Sequence, residues 1–341
     1  MPDSPFISLA DARRPLFVGA DVGGTAIKLG LVDDLGRTLA YRSVDTDVPA
    51  GPDTAVARIA DALERLLADS GAARGDVARV GLAAPGIVDV AAGVIVTPFN
   101  LPTFRQYPIR DRLAAACGFS VSFDNDANAA AYGEYWVGSG RDAESLLLIT
   151  LGTGVGGGMV VGGKTLRGAH GHGGECGHVA IDHRDDARLC PCGQRGHLEG
   201  YASATAVVQR VKESLDGGQE TSLRAALAGG EPLSPRLIHE HALAGDPFCL
   251  TVIDETAAFL GIALASMIHL LDPQRIVLGG AMTFGGGDCV VGRRFLAGVR
   301  AEVRHRTPFA SLRNTPVEFA TLGADAGYLG AAGIAREDAL S

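Results

Sequence analysis

The chain is short of several things that would settle its class outright. Lysine is nearly absent: Lys28, Lys164 and Lys212 are the only ones among 30 basic residues, a bias that a GC-rich genome accounts for. Six cysteines, at 117, 176, 190, 192, 249 and 289, are too sparse in 341 residues for a disulfide scaffold. The close pair Cys190 and Cys192 points instead to a metal site in a reducing compartment. Positive charge is in deficit, with 30 basic against 39 acidic residues and a formal net charge of −9. That balance disfavours a broad electrostatic grip on nucleic acid or on an anionic membrane. The opening stretch MPDSPFISLADARRP has no apolar core and carries Asp3 near its start, so no secretory signal is expected. The one long uncharged run, 145–163, holds seven glycines and two threonines and would make a poor membrane helix. A soluble, cytoplasmic protein without a nucleic-acid or membrane partner is the expectation.

What is plentiful is glycine, 47 residues, beside 47% hydrophobic and 20% charged residues. Neither a collagen period nor the composition of a disordered chain is present, and the length suggests about two domains. Short β-like runs at 16–20, at 26–32 and after a turn at 33–36 form a glycine-punctuated meander. Val56, Ile59, Ala60, Leu63, Leu66 and Leu67 recur at helical spacing. A strand at 77–83, a helix at 109–117, a strand at 120–123 and an Ala-rich helix at 127–137 follow. Two strands joined by a glycine loop come next, and then a segment, 168–200, that holds most of the Gly, His and Cys. Helices are expected at 204–214, 223–228, 235–244 and 246–271, and a strand at 275–278 before Gly279-Gly280. No repeat or low-complexity linker marks a boundary.

Four constellations carry chemistry. In DVGGTAIKLG, Asp21 ends a strand, Gly23 and Gly24 let backbone N–H groups approach an anion, and Thr25 adds a donor, with Lys28 beyond. Asp21 beside phosphate makes sense with a divalent cation between them; a plain hairpin turn is the other reading. In LITLGTGVGGGMVVGGK, the spacing of Gly152, Gly154 and Gly157 with a later Glu175 imitates a dinucleotide fingerprint. A Rossmann turn must open a helix, whereas β-branched residues follow here. The chain therefore turns back as a hairpin presenting Thr150, Gly152, Thr153 and Gly154, and two such hairpins would grip one polyphosphate. In FDNDANAAAYGE, Asn125 and Asp126 stand at a strand–helix junction, suited either to capping the helix or, for Asp126, to acting as a general base.

The fourth constellation is GHGGECGHVAIDHRDDARLCPCGQRGHLEGYAS. His178, Cys190, Cys192 and His197 make a tetrahedral zinc set of the closed, structural kind, with Glu175 and Glu199 beside it. Buried thiols and solvated histidines are the alternative. His170, His172 and His183 read as loop histidines.

Taken together these residues resemble the ROK family of sugar kinases and repressors, from about Leu16 to about Gly333. The segments that carry the resemblance are DVGGTAIK (21–28), NDANAAAYGE (125–134), LGTGVGGG (151–158) and GHGGECGH followed by CPCGQRGHLE (171–199). GLAAPGIVD (81–89), FNLP (99–102), IVLGGA (276–281) and GADAGYLGAA (323–332) match more weakly. The resemblance implies an α/β, actin-like ATPase (ribonuclease H-like) fold with an active-site cleft between two α/β domains. The smaller, 15–122, would be completed by a helix at 326–338, and the larger, 123–325, would carry the zinc loop. It implies ATP and Mg²⁺, with Asp21, Gly23, Gly24, Thr25, Lys28, Thr150, Gly152, Thr153 and Gly154 around the phosphates and Gly279 and Gly280 near the adenosine. Asp126 would be the base for a hexose 6-hydroxyl, with Asn100, Asn125, Glu175, His178 and Glu199 holding the other hydroxyls, and zinc would fix the loop of Glu175 and His178. A homodimer or homotetramer is implied as well.

Two departures stand out. His197 occupies the place of the last cysteine in the family's C-x-C-G-x-x-G-C-x-E, so a Cys2His2 site is expected, with loss of zinc as the alternative. Thr103-Phe104 replaces the Gly-Trp that commonly follows Asn-Leu-Pro, which bears on the fit around the sugar. Glucose is the expected substrate. N-acetylmannosamine, N-acetylglucosamine, fructose or allose kinases and a non-catalytic sugar sensor remain alternatives. A repressor would need a helix-turn-helix ahead of the first strand, where about fifteen residues stand.

Overall fold

A strand that is buried on both faces needs a cover on each side, and β1 (Leu16–Val22) is buried at every position except Asp21. The computed structural model describes residues 6–98 and 101–340. The meander continues with β2 (Ala26–Val32) and β3 (Thr38–Asp45). Then come α1 (Pro52–Ser70), β4 (Val77–Ala84), the short pair β5 (Ile87–Asp89) and β6 (Val94–Thr97), α2 (Ile109–Cys117), β7 (Val121–Asn125) and α3 (Asp126–Trp136). The first sheet runs β3-β2-β1-β4-β7, antiparallel across the meander and parallel from β1 to β4 to β7.

Beyond α3 lie β8 (Ser145–Leu151), β9 (Val155–Val161), β10 (Lys164–Thr165), α4 (Glu199–Ala202), α5 (Ala204–Asp216), α6 (Leu223–Ala228), α7 (Pro235–Leu243) and α8 (Pro247–Leu271). The chain ends through β11 (Arg275–Gly279), α9 (Val290–Arg306), α10 (Ala310–Arg313), β12 (Val317–Phe319) and α11 (Ala326–Leu340). The second sheet has the order β10-β9-β8-β11-β12, with β11 parallel to both β8 and β12. Helix α9 and strand β12 were not anticipated. The helix was legible in Val291, Phe295, Leu296, Val299 and Val303, which are its buried stripe. The strand, three residues long, is too short to show a period.

The chain packs as two units. One holds the chain up to Glu144, then Gly158–Gly174 and everything from Thr321 on; the other holds Ser145–Gly157 and Glu175–Ala320. Packing thus divides the chain after Glu144, whereas the resemblance implied a division at 122/123. The reason is that α3 lies against α11: a Cβ on Gly330 would collide with the Ala129 carbonyl. Strands β1 and β4 come equally close to α11, since a Cβ on Gly19 or Gly81 would strike the carbonyls of Tyr328 and Ala331. Trp136, the only tryptophan of the chain, closes α3 and lies beneath the Arg336 guanidinium, 5.6 Å from the ring centroid. The opposite face of the sheet is covered by α1 and α2 through Val56, Ile59, Leu63, Leu66 and Leu113.

In the second unit α8 is the one helix, among the described residues, long and apolar enough to cross a membrane. Its buried Val252, Ile253, Ala257, Leu260, Leu264 and Ile268 make it a core helix of that unit.

Candidate functional site

The sharpest local arrangement is the junction between β7 and α3. Asn125 is the N-cap of α3: its side-chain oxygen accepts from Ala127 N at 2.8 Å and Asn128 N at 3.3 Å, and its Nδ2 donates to Gly86 O at 3.0 Å. Capping therefore falls to Asn125, and Asp126 becomes the first helical residue, where the helix dipole favours a carboxylate. Its Oδ1 accepts from Ala127 N at 2.9 Å. Just upstream, Asp124 is wholly buried, and its Oδ2 accepts from Arg167 Nε at 2.6 Å. Its Oδ1 accepts from Asn128 Nδ2 at 2.9 Å and from Asn125 N at 2.8 Å.

The β1–β2 hairpin belongs to the same unit. Gly23 N donates to Ala26 O at 3.0 Å, closing the turn over Gly24 and Thr25. Thr46, the residue after β3, braces it: its hydroxyl donates to Gly23 O at 2.6 Å and its N–H to Thr25 O at 3.0 Å. Asp21 and Lys28 face each other in the ladder, and Lys28 Nζ donates to Ala324 O at 3.0 Å. Burial, with the negative charge of Asp126 added, pushes the Asp21 carboxyl up to about 6, against the opposing pull of Lys28. The Asp21 carboxylate also lies against Gly327, where α11 begins; a side chain there would displace it.

The turn between β8 and β9, at 152–154, lies in the second unit, with Gly152 N donating to Gly154 O at 3.0 Å. Thr150 corrects the expectation: it is inside β8, not in the turn. Ser203 caps α5, whose start braces the hairpin through Ala204 N to Gly152 O at 2.8 Å and Thr205 Oγ1 to Thr153 O at 2.9 Å. Glu199 Oε2 accepts from Val155 N at 2.9 Å. A Cβ on Gly154 would press on that carboxylate. Gly279 ends β11, and Gly280 has φ 91° with its α-carbon close against the backbone of Leu151.

His178, Cys190, Cys192 and His197 come together in the second unit, their donor atoms all within 4.8 Å of one another. Cys190 Sγ is 3.8 Å from His178 Nδ1 and 3.8 Å from Glu199 Oε1, and Cys192 Sγ is 3.2 Å from His197 Nδ1. A tight turn sets this spacing, with Cys190 N donating to Gln194 O at 2.8 Å and Gly193 N to Cys190 O at 2.9 Å. Burial pushes the Cys190 thiol up to about 12, so its thiolate needs a cation beside it. Burial and the neighbouring His178 lower His197, keeping it in the neutral, ligating form. Two thiols and two imidazoles at this separation fit a tetrahedral zinc ion. Glu175 is exposed, its Oε2 3.7 Å from His178 Nε2, so one imidazole faces both the cluster and this carboxylate. His170, His172 and His183 are exposed, and Asn100 lies outside the described residues.

Asp21, Gly23, Gly24, Thr25, Lys28, Asn125 and Asp126 thus sit in the first unit. Thr150, Gly152, Thr153, Gly154, Glu175, His178, Cys190, Cys192, His197, Glu199, Gly279 and Gly280 sit in the second. Sequence reasoning missed the bracing residues Thr46 and Thr205, the Asp124–Arg167 pair, and Glu134. Glu134 is buried and accepts from Ser139 N, Thr321 N and Leu322 N at 2.9, 3.0 and 2.8 Å. It is the last residue of the NDANAAAYGE segment, and a glutamate on an otherwise apolar helix face was the available signal.

The sequence model of the ROK family matches residues 17–338. The chain belongs to the ROK family. A glucokinase of Halalkalibacterium halodurans is 35% identical over 94% of this ROK chain and 95% of its own. Among solved structures, a ROK hexokinase from Thermus thermophilus superposes with TM-score 0.78 at 33% identity, covering 95% of this chain and 98% of that one. A ROK glucokinase from Streptomyces griseus in complex with glucose and AMPPNP gives TM-score 0.74 at 33% identity, covering 94% and 99%. The α/β architecture of this ROK chain is therefore that of the actin-like ATPases.

Proposed function

We propose that this chain is an ATP-dependent sugar kinase that transfers the γ-phosphoryl group of ATP to the 6-hydroxyl of glucose. The observation that carries the reading is the β7–α3 junction, where Asn125 is the N-cap and Asp126 stands as the first residue of α3. Relatives that are glucokinases across nearly the whole chain supply the substrate.

Asp126 accepts the proton of the 6-hydroxyl as that oxygen attacks the γ-phosphorus; the bond to the β,γ-bridging oxygen breaks and ADP leaves. With the Gly23 and Gly152 N–H groups closing the two turns, the N–H groups of Gly24, Thr25, Thr153 and Gly154 cradle phosphate oxygens, and the bracing by Thr46 and Thr205 keeps them preorganised. Lys28 adds positive charge on the first hairpin, and Gly279-Gly280 leaves room for the nucleoside. Mg²⁺ supplies charge neutralisation on the β and γ phosphates, with Asp21 as the carboxylate that would order it. Glu175, Glu199 through its Oε1, His178 and Asn125 Nδ2 receive or donate to the sugar hydroxyls, joined by Asn100. His178, Cys190, Cys192 and His197 would hold zinc, which would stiffen the loop of Glu175 and His178. On this reading the enzyme works in the cytoplasm as a homodimer or homotetramer.

A coupled assay across glucose, fructose, allose, N-acetylglucosamine and N-acetylmannosamine, with ATP as donor, tests the proposal. Glucose should give the highest kcat/KM. A best substrate other than glucose would move the assignment within the family, and absence of turnover with every sugar would overturn it. Metal analysis of the purified protein should find about one zinc per chain; a metal-free, fully active preparation would remove zinc from the scheme.

A further inference from the structure

The hydrogen bonds behind Asp126 converge on a single buried carboxylate. Asp124 holds the backbone of Asn125 and the side chain of Asn128, residues on either side of Asp126, and so fixes the first turn of α3 against the end of β7. What holds Asp124 is Arg167, through Nε at 2.6 Å. Arg167 comes from the segment after β10, where Gly173 N donates back to Arg167 O at 2.8 Å and Gly168 turns with φ 73°. The guanidinium also lies in the field of Glu337 and Asp338 on α11. Eight residues further along the chain is Glu175, the carboxylate assigned to the sugar.

We infer that Arg167 is a positioning residue for phosphoryl transfer, setting the direction of the Asp126 carboxylate through Asp124. The inference rests on the kinase reading given above. A base must meet its proton within hydrogen-bond reach, and a misplacement of about 1 Å costs about 100-fold in rate. Apart from Asn125, the groups assigned to sugar and phosphate lie elsewhere in the chain, so loosening this junction acts mainly on turnover and little on binding. A surface ion pair would have no such consequence, but Asp124 has no exposure and no other cationic partner among the described residues.

The test compares Arg167→Met, Arg167→Lys and Asp126→Asn in steady-state kinetics, at a temperature where circular dichroism shows each variant folded. Arg167→Met should lower kcat about 30- to 100-fold while KM for glucose and for ATP stays within about threefold. Arg167→Lys, which keeps a cation within reach of Asp124, should recover most of that loss. Wild-type kcat in Arg167→Met, a rise in KM that accounts for the whole defect, or a lysine variant as impaired as the methionine variant would each overturn the inference. If Arg167→Met does not fold, Asp124→Asn with Arg167→Met leaves no unpaired buried charge and should show the same drop in kcat; normal turnover in that double variant would overturn the inference. Asp126→Asn separates the two levels of argument. Full activity there defeats the choice of base itself, whereas an inactive Asp126→Asn beside a normal Arg167→Met defeats the positioning role alone.

Discussion

Strands β1 and β7 belong to one sheet and both carry an aspartate as their next-to-last residue, yet the two strand ends are built on opposite principles. At the end of β7 the Asp124 carboxylate is out of solvent and accepts three hydrogen bonds, one of them from a guanidinium. At the end of β1 no hydrogen bond among the described residues reaches the Asp21 carboxylate, and burial together with the charge of Asp126 holds it up to about 6. The first is a paired buried charge that organises a junction. The second is a charge the fold tolerates at a cost, the usual mark of a group kept for a ligand. On the kinase reading proposed above, Asp21 is the carboxylate that would order a divalent cation beside the phosphates.

The largest effect expected at these strand ends is on chemistry. Asp126→Asn should lower kcat by about 10³-fold or more with little change in either KM, and near-normal turnover would strip the β7 end of its catalytic meaning. Next in size is stability: Asp124→Ala leaves Arg167 and the Asn128 amide without their acceptor and should cost about 3–5 kcal/mol in urea unfolding. Asp21→Asn should act in the opposite direction. Because the folded-state value lies above the ordinary 3.8, the stability tied to the protonated carboxyl is complete below about 4 and lost as the pH rises through about 6. The asparagine variant should therefore be more stable than wild type by about 2–3 kcal/mol at pH 7.5 and nearly equal to it at pH 4. An equal difference at both pH values would erase the contrast between the two strand ends. The smallest effect is expected away from both: His197→Cys should leave the unfolding midpoint and kcat nearly unchanged, since thiolate and imidazole are both zinc ligands. A collapse of either would assign His197 a role beyond ligation.

Much of this was legible in the sequence because it is local. Gly23 and Gly24 between two apolar runs announce the first hairpin, Val56 to Leu67 announce α1, and the β-branched residues after Gly157 turn the second glycine loop away from a Rossmann reading. The His178, Cys190, Cys192 and His197 set follows from ligand type and spacing. What stayed hidden depends on residues far apart in the chain. Thr46 and Thr205 are single hydroxyls whose value lies in the carbonyls they meet, Gly23 O and Thr153 O. Arg167 is one of many arginines and gains meaning through Asp124, which lies 43 positions away. Which of Asn125 and Asp126 caps α3 was open because either residue type can do so, and the hydrogen bonds of Asn125 decided it.

The placement of Trp136 has a practical consequence. The indole ends α3, lies beneath Arg336, and is packed so closely on α11 that a methyl group at Gly333 would press into it. With no other tryptophan in the chain, emission excited selectively at that ring reports one event: whether the C-terminal helix is docked on its neighbour. Undocking exposes the indole to water and should shift its emission to the red, so the docking of α11 can be followed in the unlabelled protein by light alone.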